Sequence, residues 1–156
     1  ADNLDLMYCD REILLAAANN SGISEEQFEK ADEIENRLLY AFGNNNIQLF
    51  QWQSDTIRDL AEKHNCLFLG RCADYILRDR NDCINIFLSA NLEDRIKRVQ
   101  ERRQVTEPEA VEILKQADKR RAEYYNFFTN KTWGAAASYD LCINTSILGI
   151  DKTYFQ

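Results

Sequence analysis

The sequence predicts an α/β fold, a single domain over residues 1–156 with a parallel sheet. Three observations carry this. Cys66 to Leu69 and Ile84 to Leu88 are short apolar runs without polar alternation, as strands covered on both faces would be. Segments with helical periodicity alternate with them, which places helices against a parallel sheet. Strand, Gly70-Arg71 turn, short helix and strand follow within about thirty residues, the size of a βαβ unit.

In chain order, Ala1-Asp2-Asn3 looks like the tail of a helix. Leu4 to Tyr8 read as a short strand, with Asp10 just beyond it. Arg11 to Asn19 carry Ile13, Leu14 and Ala17 on one helical face, and Ser21-Gly22 stops them. Ser24, with Gln27 three residues on, caps an acidic helix running toward Phe42. Gly43 to Asn46 read as a break. Ile47 to Lys63 form a helix with Leu49, Trp52, Ile57, Leu60 and Ala61 inward, and it delivers the chain to the Cys66 strand.

After Gly70, Ala73 to Leu77 read as a short helix. Asn91, with Asp94 three residues on, resembles a capping box for a helix over Leu92 to Arg103. Arg95, Arg98 and Arg102 stand at i, i+3 and i+7 of that helix and share a face. Thr106-Glu107-Pro108-Glu109 is a second capping box with proline in the first turn. Its helix runs to about Phe128, with Ala110, Ile113, Leu114, Ala117, Tyr124 and Phe128 at helical spacing. Leu141 to Asn144 form the last strand, and Gly149 lies in the connection after it. Crossovers between the strands are expected to be right-handed.

Charge narrows the function classes. The net charge is −7, and a chain so acidic lacks the basic face that non-specific nucleic-acid binding requires. Between Arg95 and Arg121, however, nine Lys/Arg stand against five Asp/Glu, which suits a small polyphosphate. No apolar run approaches the roughly 18 residues of a membrane span, and no secretory signal precedes the first strand. The expectation is a cytoplasmic protein without a membrane partner. The 5 cysteines form no C-x-x-C pair and are expected to be reduced thiols. His64 is the single histidine, too little for a zinc site or a nucleophile–histidine mechanism, so no metal site is expected within the chain.

Four features recur in one order. A buried strand ends in Gly70-Arg71, and INIFLSA leads into the arginine-bearing LEDRIKRVQERR. Asp118 and Arg121 form D-x-x-R, and YDLCINTS closes an apolar strand on a polar turn. From about Leu4 to Ile150 this set resembles the cytidylate kinases and cytidylate kinase-like proteins of the P-loop nucleoside monophosphate kinase superfamily. The resemblance implies a three-layer P-loop kinase-like domain with a helical lid over about residues 102–128. It implies ATP and Mg2+ as cofactors, and transfer of the ATP γ-phosphate to CMP or a related small acceptor. By the same resemblance Arg71 holds the acceptor monophosphate, and Asp10 lies near that phosphate. Asp118 and Arg121 read the cytosine and its phosphate, while Arg98 and Arg102 close over the donor phosphates.

Each residue also has a plainer reading. Arg71 could be a salt-bridged structural arginine, and Asp10 could cap the helix that follows it. Asp118 and Arg121 could be an ordinary i,i+3 pair. The arginines from Arg95 to Arg103 could be a solvated face. Tyr124, Tyr125, Phe127 and Phe128 pack a core or stack a base. Two departures from the family stand out. Cys72 occupies the place of an acidic residue, and no G-x-x-x-x-G-K-[ST] occurs in the chain. The first strand and its phosphate loop are therefore expected upstream of Ala1, and a longer connection near residues 43–46. The alternative function is a non-catalytic nucleotide-binding or partner-binding module on the same fold; a third reading is a plain structural domain.

Overall fold

Two separate pairs of parallel strands organise the chain in the computed structural model, which describes residues 5–10 and 44–149. The chain divides into two units, Ala1–Cys83 and Ile84–Gln156, each with one strand pair.

In the first unit β1 (Met7–Cys9) pairs in parallel with β2 (Cys66–Phe68), Cys9 opposite Phe68. The helix α1 (Asn44–Lys63) leads into β2, and α2 (Ala73–Ile76) follows it. Ile57 of α1, Cys9, Cys72, Ala73, Ile76 and Leu77 form the buried apolar core. Gln53 and Ser54 belong to the same buried face of α1. Ser54 satisfies its hydroxyl by donating to the Phe50 carbonyl at 2.6 Å. The opposite face is wet, with Arg58–Asp55 and Lys63–Asp59 pairs at helical spacing. Beyond α2, Arg80 grips Asp82 with two hydrogen bonds of 2.9 and 2.6 Å. That fork holds the Asp82 carboxyl below its ordinary pKa.

In the second unit β3 (Ile86–Ser89) pairs in parallel with β4 (Leu141–Asn144), in the register Ile86–Leu141 to Ser89–Asn144. The crossover between them is helical: α3 (Leu92–Arg103), then α4 (Glu107–Thr129), packed as a hairpin. A short 3₁₀ turn, Ala136–Ser138, precedes β4, and α5 (Thr145–Leu148) follows it. Ala110, Leu114, Tyr125 and Thr129 are the buried residues of α4. One face of the strand pair carries Phe87, which meets Trp133 edge-on at 5.6 Å and Tyr139 at 5.0 Å. Gly134 passes against this ring at φ +76°, and a β-carbon there would come 3.1 Å from Phe87.

The expected parallel pairing is present, as two strand pairs among the described residues: β2 joins β1, and β3 joins β4. Several sequence expectations are corrected. The strands are not covered on both faces. Leu69, Ile84 and Leu88 are 62%, 73% and 60% exposed, because only alternate residues meet a packed face. The break expected at Gly43 to Asn46 is helical from Asn44 onward. The first N–H groups of a helix need no intrahelical partner, so polar residues suit that turn.

Asn91 caps α3 with its backbone alone. Its side chain instead accepts a hydrogen bond from the Asn144 amide at 3.0 Å. On α4 it is Tyr125, not Tyr124, that is buried. The helices expected over Arg11 to Asn19 and from Ser24 to Phe42 lie outside the described residues. None of the 5 cysteines is in a disulfide. Among the described residues no helix is long and apolar enough to cross a membrane.

Candidate functional site

The carboxyl end of the first strand pair gathers two of the sequence-predicted residues. Asp10 leaves β1 directly after Cys9, and Arg71 stands three residues past the end of β2. The Leu69 N–H donates to the Cys9 carbonyl at 3.1 Å, so the strands stay joined up to this point. Both Asp10 and Arg71 are half-buried. Strand ends of parallel sheets are where open α/β folds bind ligands.

The turn carrying Arg71 has an unusual backbone. Gly70, Arg71 and Cys72 adopt φ values of 71°, 58° and 57°, three left-handed residues in succession. Glycine accepts this freely, but each L-residue there costs about 1–2 kcal/mol. Local bonds offset part of that. Ala73 N–H donates to the Gly70 carbonyl at 3.1 Å, and Ile76 N–H to the Cys72 carbonyl at 2.9 Å. Across the unit, the buried Gln53 amide donates to the Arg71 carbonyl at 3.0 Å. Cys72 is only 4% exposed, so the side chain in place of the family's acidic residue is a packed thiol. Beneath the turn, burial first and the neighbouring Cys66 thiol second push the Cys9 thiol up to about 12.

The carboxyl end of β3–β4 is a polar knot. Thr145 Oγ1 donates to the Ser89 carbonyl at 3.0 Å, and Asn91 N–H to Ser146 Oγ at 2.9 Å. Asn144 Oδ1 accepts from the Ser146 N–H at 3.0 Å and starts α5. Beside the knot is an open cleft of about 290 Å³ lined by Asp94, Lys97, Arg98, Glu101, Thr145, Ser146 and Gly149. The polar turn read as Asn144-Thr145-Ser146 thus ties two strand ends together and forms one wall of this cleft.

The α3–α4 hairpin is fastened by charge. Asp118 accepts from Arg95 at 2.7 Å and from Arg121 at 3.3 Å. Asp118 and Arg121 are therefore together, as their i,i+3 spacing suggests. The arginines of α3, expected on one face, part company: Arg95 turns to α4, while Arg98 Nε bonds the Asp94 carbonyl at 3.2 Å and lines the cleft. Residues at i and i+3 differ by about 60° around a helix, enough for long side chains to reach either side. Arg102 stands exposed in the last turn of α3. Sequence reasoning left two residues outside the site. Arg95 had a visible signal, an arginine facing an acidic position on the next helix. Gln53 had none.

Among the described residues no group of three or more His, Cys, Asp or Glu could hold a metal ion. Arginines and hydroxyls thus stand at or beside the carboxyl ends of the two parallel strand pairs, where open α/β folds bind ligands. The family model described as the cytidylate kinase-like family matches residues 1–147, and the chain belongs to that family. A search of curated proteins found no match. Among solved structures, an uncharacterized protein from Eubacterium ventriosum ATCC 27560 is similar, with a TM-score of 0.76 at 28% identity. The likeness covers 98% of this chain and 82% of that one.

Proposed function

We propose that the protein is a nucleoside monophosphate kinase-like phosphotransferase, moving the ATP γ-phosphate to CMP or a related small acceptor. One observation carries the reading. In a chain of the cytidylate kinase-like family, arginines lie at the carboxyl ends of both parallel strand pairs, Arg71 at one and Arg98 at the other. Arginine suits both places, since its planar fork grips phosphate oxygens in pairs and keeps its charge. Arg71 binds the acceptor monophosphate, with Asp10 orienting the attacking oxygen. Asp118 and Arg121 contact the base and its phosphate, and Arg98 and Arg102 neutralise the donor phosphates. The segment over about residues 102–128 acts as the lid of a three-layer, P-loop-type domain.

Phosphoryl transfer is mostly positioning and charge neutralisation, and these residues supply both for the acceptor. The donor phosphates also need a nest of backbone N–H groups and a lysine, and residues 1–156 contain no such loop. In kinase sites Mg2+ is held mainly by substrate phosphates and one or two carboxylates. When bound, the ion supplies charge neutralisation on the donor. Calorimetry of CMP, other nucleoside monophosphates and ATP, followed by a coupled phosphotransfer assay, tests the reading. Monophosphate binding supports it, and no binding of any nucleotide sinks it. Monophosphate binding without turnover, even with a phosphate-loop segment supplied, favours the non-catalytic module, a reading that Cys72 supports.

A further inference from the structure

We propose that Gln53 is a positioning residue: its buried amide holds the turn that presents Arg71, and so sets the affinity of the acceptor-phosphate site. This rests on Arg71 being the monophosphate ligand. It goes further by naming a residue on another element that contacts no substrate and acts through the backbone.

Helix α1 buries a polar pair, Gln53 and Ser54, beside the fully buried Ile57. Ser54 is accounted for locally, by its bond to Phe50. Gln53 instead reaches 18 residues along the chain, donating through Nε2 to the Arg71 carbonyl at 3.0 Å. Glutamine is 6% exposed at this position, and a buried amide with a poor partner is costly, so the bond has a structural purpose. The receiving carbonyl belongs to the middle residue of the left-handed run Gly70, Arg71, Cys72. Such conformations persist in non-glycine residues only where surrounding structure over-determines them.

Bonds from α2 reach the Gly70 and Cys72 carbonyls, and the Gln53 bond to the Arg71 carbonyl ties α1 to the middle of the turn. Rotation of that peptide would swing the Arg71 Cα–Cβ bond and carry its guanidinium away from the strand end. A site displaced by about 1 Å can lose up to roughly 100-fold in effectiveness.

The test is a thermodynamic cycle read by CMP titration calorimetry, with melting temperature and amide chemical shifts measured alongside. Gln53→Leu keeps the volume and deletes the donor. It is expected to weaken CMP binding about tenfold and to shift the Arg71 and Cys72 amides. In an Arg71→Ala background the same change should leave affinity untouched. Ser54→Ala, which removes a buried hydrogen bond one residue away, should lower the melting temperature without altering affinity.

If Arg71→Ala itself binds CMP as wild type does, the functional reading fails and this proposal with it. If Arg71→Ala loses affinity while Gln53→Leu does not, or if the two losses simply add, the proposal alone is overturned. Should Gln53→Leu not fold, Gln53→Glu replaces it. Its carboxyl gives up the donor as it ionises, so CMP affinity should fall relative to wild type between about pH 5 and pH 8. A flat ratio across that range also overturns the proposal.

Discussion

Breaking the Arg95–Asp118 pair should loosen the α3–α4 hairpin by a measurable, salt-dependent amount. The two groups are 2.7 Å apart, with side chains 28% and 30% exposed, so water screens them only in part. Charge centres about 4 Å apart at an effective dielectric of about 20 attract by roughly 4 kcal/mol. Fixing the arginine opposes this with up to about 2 kcal/mol of rotamer entropy. Partial desolvation of both ions removes more. The net coupling should be about 1 kcal/mol, at the upper end of the range for surface pairs. Urea denaturation of Arg95→Ala, Asp118→Ala and the double variant isolates the term. It should shrink to a few tenths of a kcal/mol in about 1 M salt, where the Debye length is near 3 Å. A coupling below about 0.3 kcal/mol at low salt, or one indifferent to salt, would refute the claim that this pair fastens the hairpin.

Three further outcomes are expected. Ile57→Ala opens a cavity at a residue 0% exposed and should cost about 2–5 kcal/mol in chemical denaturation. The Thr106 hydroxyl and N–H hold the Glu109 carboxyl below its ordinary pKa of 4.5. Its stabilisation is therefore present above the unfolded-state pKa and lost as pH falls through the folded one. Wild type and Glu109→Ala should accordingly differ in melting temperature near neutrality and converge in acid. The Cys9 thiol, 1% exposed and shifted from 9.0 to about 12, should resist alkylation near pH 8 while exposed Cys142 reacts. Because unfolded chains release the Cys9 proton first, stability should fall as pH rises from about 9 toward 12.

Local chemistry made much of this fold readable. The Thr106–Glu109 box starts α4 because its partners are three residues apart, within one turn. Helix α3, the two hydrophobic runs and the Gly70 stop were visible for the same reason. Partners far along the chain were not. Nothing near Asn91 announces that Asn144 will take its side chain and deny α3 a side-chain cap. The pairing of β3 with β4 joins residues more than fifty positions apart, which no local pattern announces.

The site divides along the same line. Arg71 and Asp10 were marked by their place at strand ends, and Asp118 with Arg121 by spacing. The left-handed run at Arg71 and Cys72 was not visible, because neither residue is one that favours positive φ. Gln53 carries no motif at all; only the fold brings its amide to the Arg71 carbonyl.

Amide chemical-shift mapping of a CMP titration tests the central claim most directly, because it locates binding without requiring turnover. The account predicts saturable shifts at Asp10 and from Gly70 to Ala73, with a second group at Asp118 and Arg121. All of them should be lost in Arg71→Ala while its remaining spectrum stays folded. Saturable shifts confined to other residues, or the same shifts in Arg71→Ala, would contradict it.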